Sequence, residues 1–450
     1  MDIKKRIFHV FGLIGVFVSL LLFKSFSNFE DATWEKLWVF ILMILLCSVG
    51  LALIFNTKKY VLHSARIFSG ILFIFSGFVK AVDPLGSKYK FIDYFAAWGL
   101  DFLEPTALTF GIILSTIELV VGLMLLFKIF PKISSLLALL FMIGFTPVTL
   151  YLALQENITG AELVHDCGCF GDALILTNWQ TFVKNIIIFL PVLYVYAKRK
   201  SFSNLVTYVK TGKVVAFFVI ISLLLSVYAL RNLPPIDFRP YKIGTKLVSA
   251  NCTEGLQSSV EKISYAEFVN TNTGERKEFK ISGFWPSDEW EYDVDKPVRV
   301  VEIVNQSYNI DSLFPGQDVY KVDNFLFSKN SEERTCDIIS DTNYVFLIVA
   351  YDIKTSNKDA MERINTIHSW ASEKGYAFYG ATSSLDDEVH KFKQKTNTDF
   401  VYLDGDDIPY KTIVRANPGM VLLKNGVVLA KWHYRNIPSV EEFEKNVINN

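Results

Sequence analysis

The chain has little cysteine and almost no net charge. Five cysteines are spread over 450 residues, and none forms a C-x-x-C pair. The two closest, Cys167 and Cys169, lack the second ligand pair that a zinc site needs, so no metal site is expected. A formal net charge of −1 gives no electrostatic case for a nucleic-acid partner or a strongly acidic substrate. The apolar segments lack the two-residue alternation of barrel strands. They also hold no matched pair of interrupted helices, which leaves a transporter reading resting on one carboxylate, Glu118.

What the sequence does have is a division into two halves. Apolar residues make up 51% and charged residues 20%, too much charge for a chain that is membrane throughout. The apolar residues concentrate before residue 232. Seven stretches there, 7–23, 37–56, 66–82, 107–127, 133–154, 179–197 and 214–230, are long enough or nearly so to cross about 30 Å of hydrocarbon as helices.

Basic residues fall on alternate connections. Lys4, Lys5 and Arg6 precede the first stretch; Lys58, Lys59 and Arg66 follow the second; Lys128 and Lys132 follow the fourth; Lys198, Arg199 and Lys200 follow the sixth. The intervening connections carry acids, including Glu30, Asp93, Asp101, Glu156 and Asp166. The positive-inside rule then puts the N-terminus in the cytoplasm and everything after residue 232 on the far side. A signal peptide at 1–27 is a rival reading, with Lys24 interrupting it, and would not change the sidedness.

Four of the five cysteines, Cys167, Cys169, Cys252 and Cys336, lie on that far side, where disulfides persist. Cys167-Gly168-Cys169 sits within HDCGCFGD, and the glycine lets two thiols close a small strained ring that is easily reduced. This suits electron exchange, with His165 or Asp166 tuning thiolate formation. The alternatives are a fixed staple, or separate bonds to Cys252 and Cys336, whose own pairing is the structural default. Cys47 lies within a membrane stretch and reads as packing.

Ionisable groups inside a bilayer are costly and mark candidate sites. Glu118 falls near the middle of the fourth stretch and could relay protons, contact a quinone head group, or form half of a buried pair. Lys80 and Asp83 lie at the outer end of the third, where Lys80 can snorkel as an interfacial anchor and Pro84 ends the helix. Residues 88–103, KYKFIDYFAAWGLDFL, suit an amphipathic helix in the interface.

Taken together, Arg66 with FSGILFIFSGFVKAVDPLGSKYKFIDYF, then IELVVGLMLL, then DCGCFGD, resemble the bacterial DoxX and MauE group of membrane proteins. The resemblance implies a four-helix membrane core at about 66–197. It further implies redox support or maturation of extracytoplasmic proteins, with a membrane quinone as cofactor and with Lys80, Asp83, Pro84, Glu118 and Cys167 to Gly171 as its motif positions. Disulfide-forming membrane enzymes use C-x-x-C, one residue more than this loop has.

After Pro234-Pro235 the text turns soluble. Residues 236–320 read as a β-rich module with no catalytic constellation. From 321 onward, the strand YVFLIVA precedes a helix with Met361, Ile364, Ile367 and Ala371 that ends near Gly375. A second helix carries Leu385, Val389 and Phe392; MVLLK and VVLAKWH flank the hairpin signal Asn425-Gly426; Ser439 with Glu442 caps a last helix. This β-α-β-α-β-β-α order, with Asn417-Pro418 before the hairpin in NPGMVLLKNG, resembles the thioredoxin fold. The position of its active-site pair reads YDIKTSNKDAM, so no sulfur is present for dithiol exchange. Asn417 and Pro418 would then form a groove for an extended client peptide, or simply a structural turn.

The expectation is a multi-domain protein: an all-α polytopic membrane bundle of about seven helices at 1–235, a β-rich module at 236–320 and an α/β thioredoxin-like domain at 321–450. Its setting would be the bacterial inner membrane, multi-pass, with the C-terminal domains periplasmic. Its partners would be lipid and an extracytoplasmic or envelope protein. The activity would be a quinone-linked thiol-disulfide oxidoreductase, or else a non-catalytic scaffold or assembly factor.

Overall fold

The computed structural model describes residues 3–25, 33–55, 59–159, 164, 167–202, 208–249, 252, 259–271, 273, 276–280, 290–292, 299–305, 313–322, 327–329 and 332–445. The chain divides into two compact units, Met1–Arg239 and Pro240–Asn450.

The first unit is helical, as it must be where lipid offers the backbone no hydrogen-bond partners. Its helices are α1 (Ile3–Ser25), α2 (Trp34–Phe55), α3 (Tyr60–Val82), α4 (Pro84–Ala97), α5 (Ala107–Leu126), α6 (Pro131–Thr159), α7 (Asn178–Ala197) and α8 (Tyr208–Arg231). Among the described residues six, α2, α3 and α5 to α8, are long and apolar enough to span a membrane. The first expected span lies in α1, whose apolar run Phe8–Phe23 is shorter. Apolar side chains such as Leu190, Phe217 and Leu224 point outward, as lipid contact requires.

Glycine sets the closest helix contacts. A Cβ on Gly77 of α3 would strike the Leu119 backbone nitrogen of α5, and one on Gly122 of α5 would meet Ile74 and Gly70 of α3. Close approach of this kind replaces the hydrophobic driving force that helices lack among themselves in lipid. Arg66, counted above with the basic connections, instead lies inside α3 and is buried. Its guanidinium donates to the carbonyls of Leu125 and Leu126 at the end of α5, where the last carbonyls lack intrahelical α-type partners and the helix dipole favours a cation.

The second unit contains two sheets. Strands β1 (Lys246–Val248), β6 (Val319–Lys321), β7 (Ser328–Lys329), β8 (Glu332–Glu333), β9 (Tyr344–Val349), β10 (Ala377–Thr382), β11 (Val401–Asp404), β12 (Gly419–Lys424) and β13 (Val427–His433) form one sheet, ordered β6-β1-β13-β12-β9-β10-β11-β7-β8. Strands β2 (Ser259–Asn270), β3 (Arg276–Lys280), β4 (Trp290–Tyr292) and β5 (Arg299–Asn305) form the other, all three partners pairing with β2. The larger sheet crosses the expected boundary at residue 320, because β1 pairs with both β6 and β13.

Within it β9, β10 and β11 run parallel, joined by helices α10 (Met361–Glu373) and α11 (Asp386–Thr396); a short α9 (Thr335–Ile339) precedes them. Helix α12 (Asp407–Ile413) is additional to the expected order, and α13 (Val440–Phe443) closes the chain. Met361, Ile364, Ile367 and Ala371 are buried against Phe346, Phe378 and Phe443. Leu385, expected on the apolar face of α11, is instead its exposed N-cap residue. Asn425 and Gly426 both take positive φ, as a two-residue hairpin turn requires. Cys252 and Cys336 are joined as a disulfide across 84 residues, and the Asn417-Pro418 peptide is cis.

Candidate functional site

Helix α3 ends where Pro84 cannot continue it, and Asp83 caps the next helix by accepting the Gly86 N–H at 2.9 Å. Chain direction therefore changes at once, and α4 lies against α5 through Phe91, Phe95 and Phe110, whose centroids are 5.9 to 6.0 Å apart. This is the amphipathic helix expected at 88–103, shifted toward the N-terminus, with Gly99 at positive φ turning the chain after it. Asp83 acts as a cap and is not among the residues that line the cavity described next.

The loop before α7 enters the bundle beside α4. Cys167 and Cys169 are bonded to each other, with Cα atoms 5.5 Å apart. Gly168 takes φ +62°, and a Cβ there would fall 2.9 Å from Lys90 Cγ, so both conformation and space call for glycine. Both flanking carbonyls are held: Tyr94 Oη donates to Cys167 O at 3.2 Å and Ser76 Oγ lies 2.6 Å from Cys169 O. Phe170 is buried between Phe40 and Phe75, each 5.3 Å away between centroids. His165 and Asp166, the expected thiolate-tuning residues, lie outside the described residues.

Behind the loop, Lys80 does not snorkel. Its Nζ donates to Glu118 Oε1 at 3.0 Å and Oε2 at 2.7 Å, with both residues buried. Glu118 thus takes the buried-pair form, as an uncompensated charge in an apolar interior would cost several kcal/mol. Ser76 Oγ accepts from Lys80 Nζ at 2.8 Å and lies 2.9 Å from Glu118 Oε2. Its single proton serves either that carboxylate or the Cys169 carbonyl. One hydroxyl thus ties the disulfide loop to the ion pair.

Disulfide, ion pair and aromatic helix enclose a cavity of about 370 Å³. Its walls include Phe91, Tyr94, Phe95 and Trp98 from α4, Phe141 and Phe145 from α6, and Cys167 to Phe170. Lys184 of α7, not singled out in the sequence, also lines it and is 2% exposed. Its Nζ lies 4.4 Å above the Phe170 ring. Among the described residues it makes no hydrogen bond or ion pair. A lysine inside the apolar stretch 179–197 was the available signal. Metal-binding clusters of three or more His, Cys, Asp or Glu do not occur among the described residues.

All of these lining residues fall in one segment. Residues 58–197 match the family model of methylamine utilisation protein MauE. The match covers less than half of the chain, and shows a MauE-like multi-pass membrane segment that carries the whole cavity. No curated protein and no solved structure matches the chain. The site is therefore read from its own geometry.

Asn417 and Pro418 belong to the second unit. The Asn417 side-chain amide donates to Asp352 O at 2.7 Å and Thr355 Oγ1 at 3.1 Å, while its carbonyl accepts the Asn357 N–H at 3.1 Å. Asn417 is thus tied to the segment 352–357 of the same unit.

Proposed function

We propose that this chain is an inner-membrane thiol-disulfide oxidoreductase in which Cys167 and Cys169 exchange electrons between an extracytoplasmic protein thiol and a quinone in the MauE-like cavity. The observation that carries it is the shared cavity: a disulfide and a buried Lys80–Glu118 pair line the same aromatic-walled space and are joined by Ser76. The volume of about 370 Å³ lies within the rough 300–1,000 Å³ range of ligand pockets, and the ring-lined walls suit a flat ring.

When bound, a quinone supplies an acceptor for two electrons and two protons. On the protein side, the reduced Cys167 and Cys169 lose their two S–H protons and two electrons as the S–S bond forms. Glu118, held beside Lys80, offers the cavity a carboxylate that can take up and return a proton without leaving an isolated charge. Ser76 and Tyr94 hold the loop carbonyls, so the sulfurs keep their place against the cavity as they cycle. The bundle's packing supports the topology, since Tyr94 and Cys167 come from connections assigned to the same side and do meet. Arg66 binds the opposite end of α5.

The order β10-β9-β12-β13 supports the thioredoxin-like reading of the outer unit. With Cys252 and Cys336 bonded to each other, that unit adds no free thiol, and Asn417 is given no client-binding role.

The test is to reduce the full-length protein anaerobically with dithiothreitol, remove the reductant and add a short-chain benzoquinone. Alkylation and mass analysis then follow Cys167 and Cys169. Reoxidation with one quinone consumed per disulfide is expected. A pair that resists mild reduction would leave the scaffold reading, in which C-x-C is a staple.

A further inference from the structure

We infer that Lys184 is the residue that grips the ligand of this cavity, its ammonium donating to a ring carbonyl oxygen of a quinone. The inference rests on the function proposed above and names the group that recognises the ligand.

Every other charged side chain deep in the cavity has a partner. The contacts of the Glu118 carboxylate are with Lys80 and Ser76, and it makes none with Lys184. Among the described residues, Glu118 and Lys80 pair with each other, while Lys184, at 2% exposure, lines the same cavity without an ion pair or hydrogen bond. The face of Phe170 is its recorded neighbour, 4.4 Å away. A ring quadrupole attracts a cation but accepts no ordinary hydrogen bond, so the ammonium's three donors are left for something else. Burying an ammonium this way is unfavourable unless a partner enters.

The partner has to offer an electron-rich oxygen and also fit walls made of Phe91, Phe95, Phe141 and Phe145. A quinone ring does both. Lys184 and the disulfide are brought together by Phe170, which adjoins Cys169 and lies under the ammonium. A cation in this position favours the electron-richer oxygen, so Lys184 also strengthens the ligand as an acceptor. Anionic lipid or a fatty acid could supply a similar oxygen, and the test separates them.

The experiment uses the full chain in phosphatidylcholine nanodiscs with a radiolabelled short-chain benzoquinone, measuring binding by equilibrium dialysis and stability by thermal unfolding. Lys184→Met is expected to weaken binding about 10- to 150-fold, the range for losing a charge-assisted hydrogen bond. Lys184→Arg is expected to stay within about threefold, because the charge and donors remain. Lys184→Met should unfold no earlier than the wild type, since it removes an unpaired buried charge. Equal binding by Lys184→Met would overturn the inference and leave the redox reading standing. A Lys184→Met protein that unfolds at markedly lower temperature would show a structural cation and overturn it too. Binding of laurate that depends on Lys184, with quinone binding unaffected by the substitution, would assign the residue to lipid carboxylate instead. Failure of the wild type both to bind quinone and to be reoxidised by it would bring down the reading itself.

Discussion

Lys80 Nζ and Glu118 Oε2 lie 2.7 Å apart across two helices, with both side chains under a tenth exposed. Removing one partner strands the other. Glu118→Gln is expected to cost roughly 3 to 5 kcal/mol, measured by thermal unfolding in detergent. Glu118→Leu combined with Lys80→Met should recover most of that loss. Additive losses in the double variant would mean that the two groups do not act as a pair.

Ser76 joins this pair to the loop through the Cys169 carbonyl. Ser76→Ala should destabilise by about 1 to 3 kcal/mol and loosen the loop. Reduction of the Cys167–Cys169 bond by dithiothreitol is then expected to run several-fold faster. An unchanged reduction rate would separate the loop from the ion pair.

The approach of α3 to α5 depends on Gly77. Gly77→Ala places a methyl against the Leu119 backbone, which cannot yield as a side chain would, and should cost more than 2 kcal/mol. Gly212→Ala in α8, where nothing lies within 4 Å, should instead stabilise by about 0.5 to 1 kcal/mol through helix propensity. The two substitutions are chemically identical, so a similar effect on melting temperature would refute the packing argument.

His433 in the second unit is held near pKa 4, down from 6.5, chiefly by burial and also by the Arg435 charge; its Nδ1 accepts the Arg435 N–H at 3.2 Å. The folded state thus resists a proton that the unfolded state takes up. Stability is complete above about pH 6.5 and falls as the pH drops toward 4, by roughly 2 to 3 kcal/mol. Hydrogen exchange of β12 and β13 in the intact protein measures it. His433→Asn, which keeps an acceptor but cannot titrate, should flatten that part of the profile.

The Cys252–Cys336 bond closes a separation of 84 residues. Replacing both with alanine should destabilise the second unit by roughly 4 kcal/mol if chain entropy dominates. Denaturant unfolding with and without the bond checks this.

Much of the architecture was written in local pattern. Apolar runs marked the spans, Pro84 marked the end of α3, and Ser439 with Glu442 marked the last helix, because length, fixed φ and capping are properties of neighbouring residues. The α10 face was equally plain, since 3.6-residue spacing alone puts Met361, Ile364 and Ile367 on one side. Two readings drawn from position alone misled. Arg66 looked like part of a connection and is a buried cap, and Lys80 looked like a surface anchor and is half of an ion pair. Nothing near either residue in sequence names its partner.

The sequence by itself determined that helices cross a membrane, that basic residues mark alternate connections, and that a C-x-C loop stands apart from a C-terminal half with no closely spaced cysteine pair. Only the tertiary structure decided that Glu118 meets Lys80, that Ser76 reaches Cys169, and that Lys184 lines the cavity without an ion pair among the described residues. Those outcomes depend on how far each helix is rotated about its axis. Close contact at Gly70, Gly77 and Gly122 sets that rotation between α3 and α5, and no short stretch of residues encodes it.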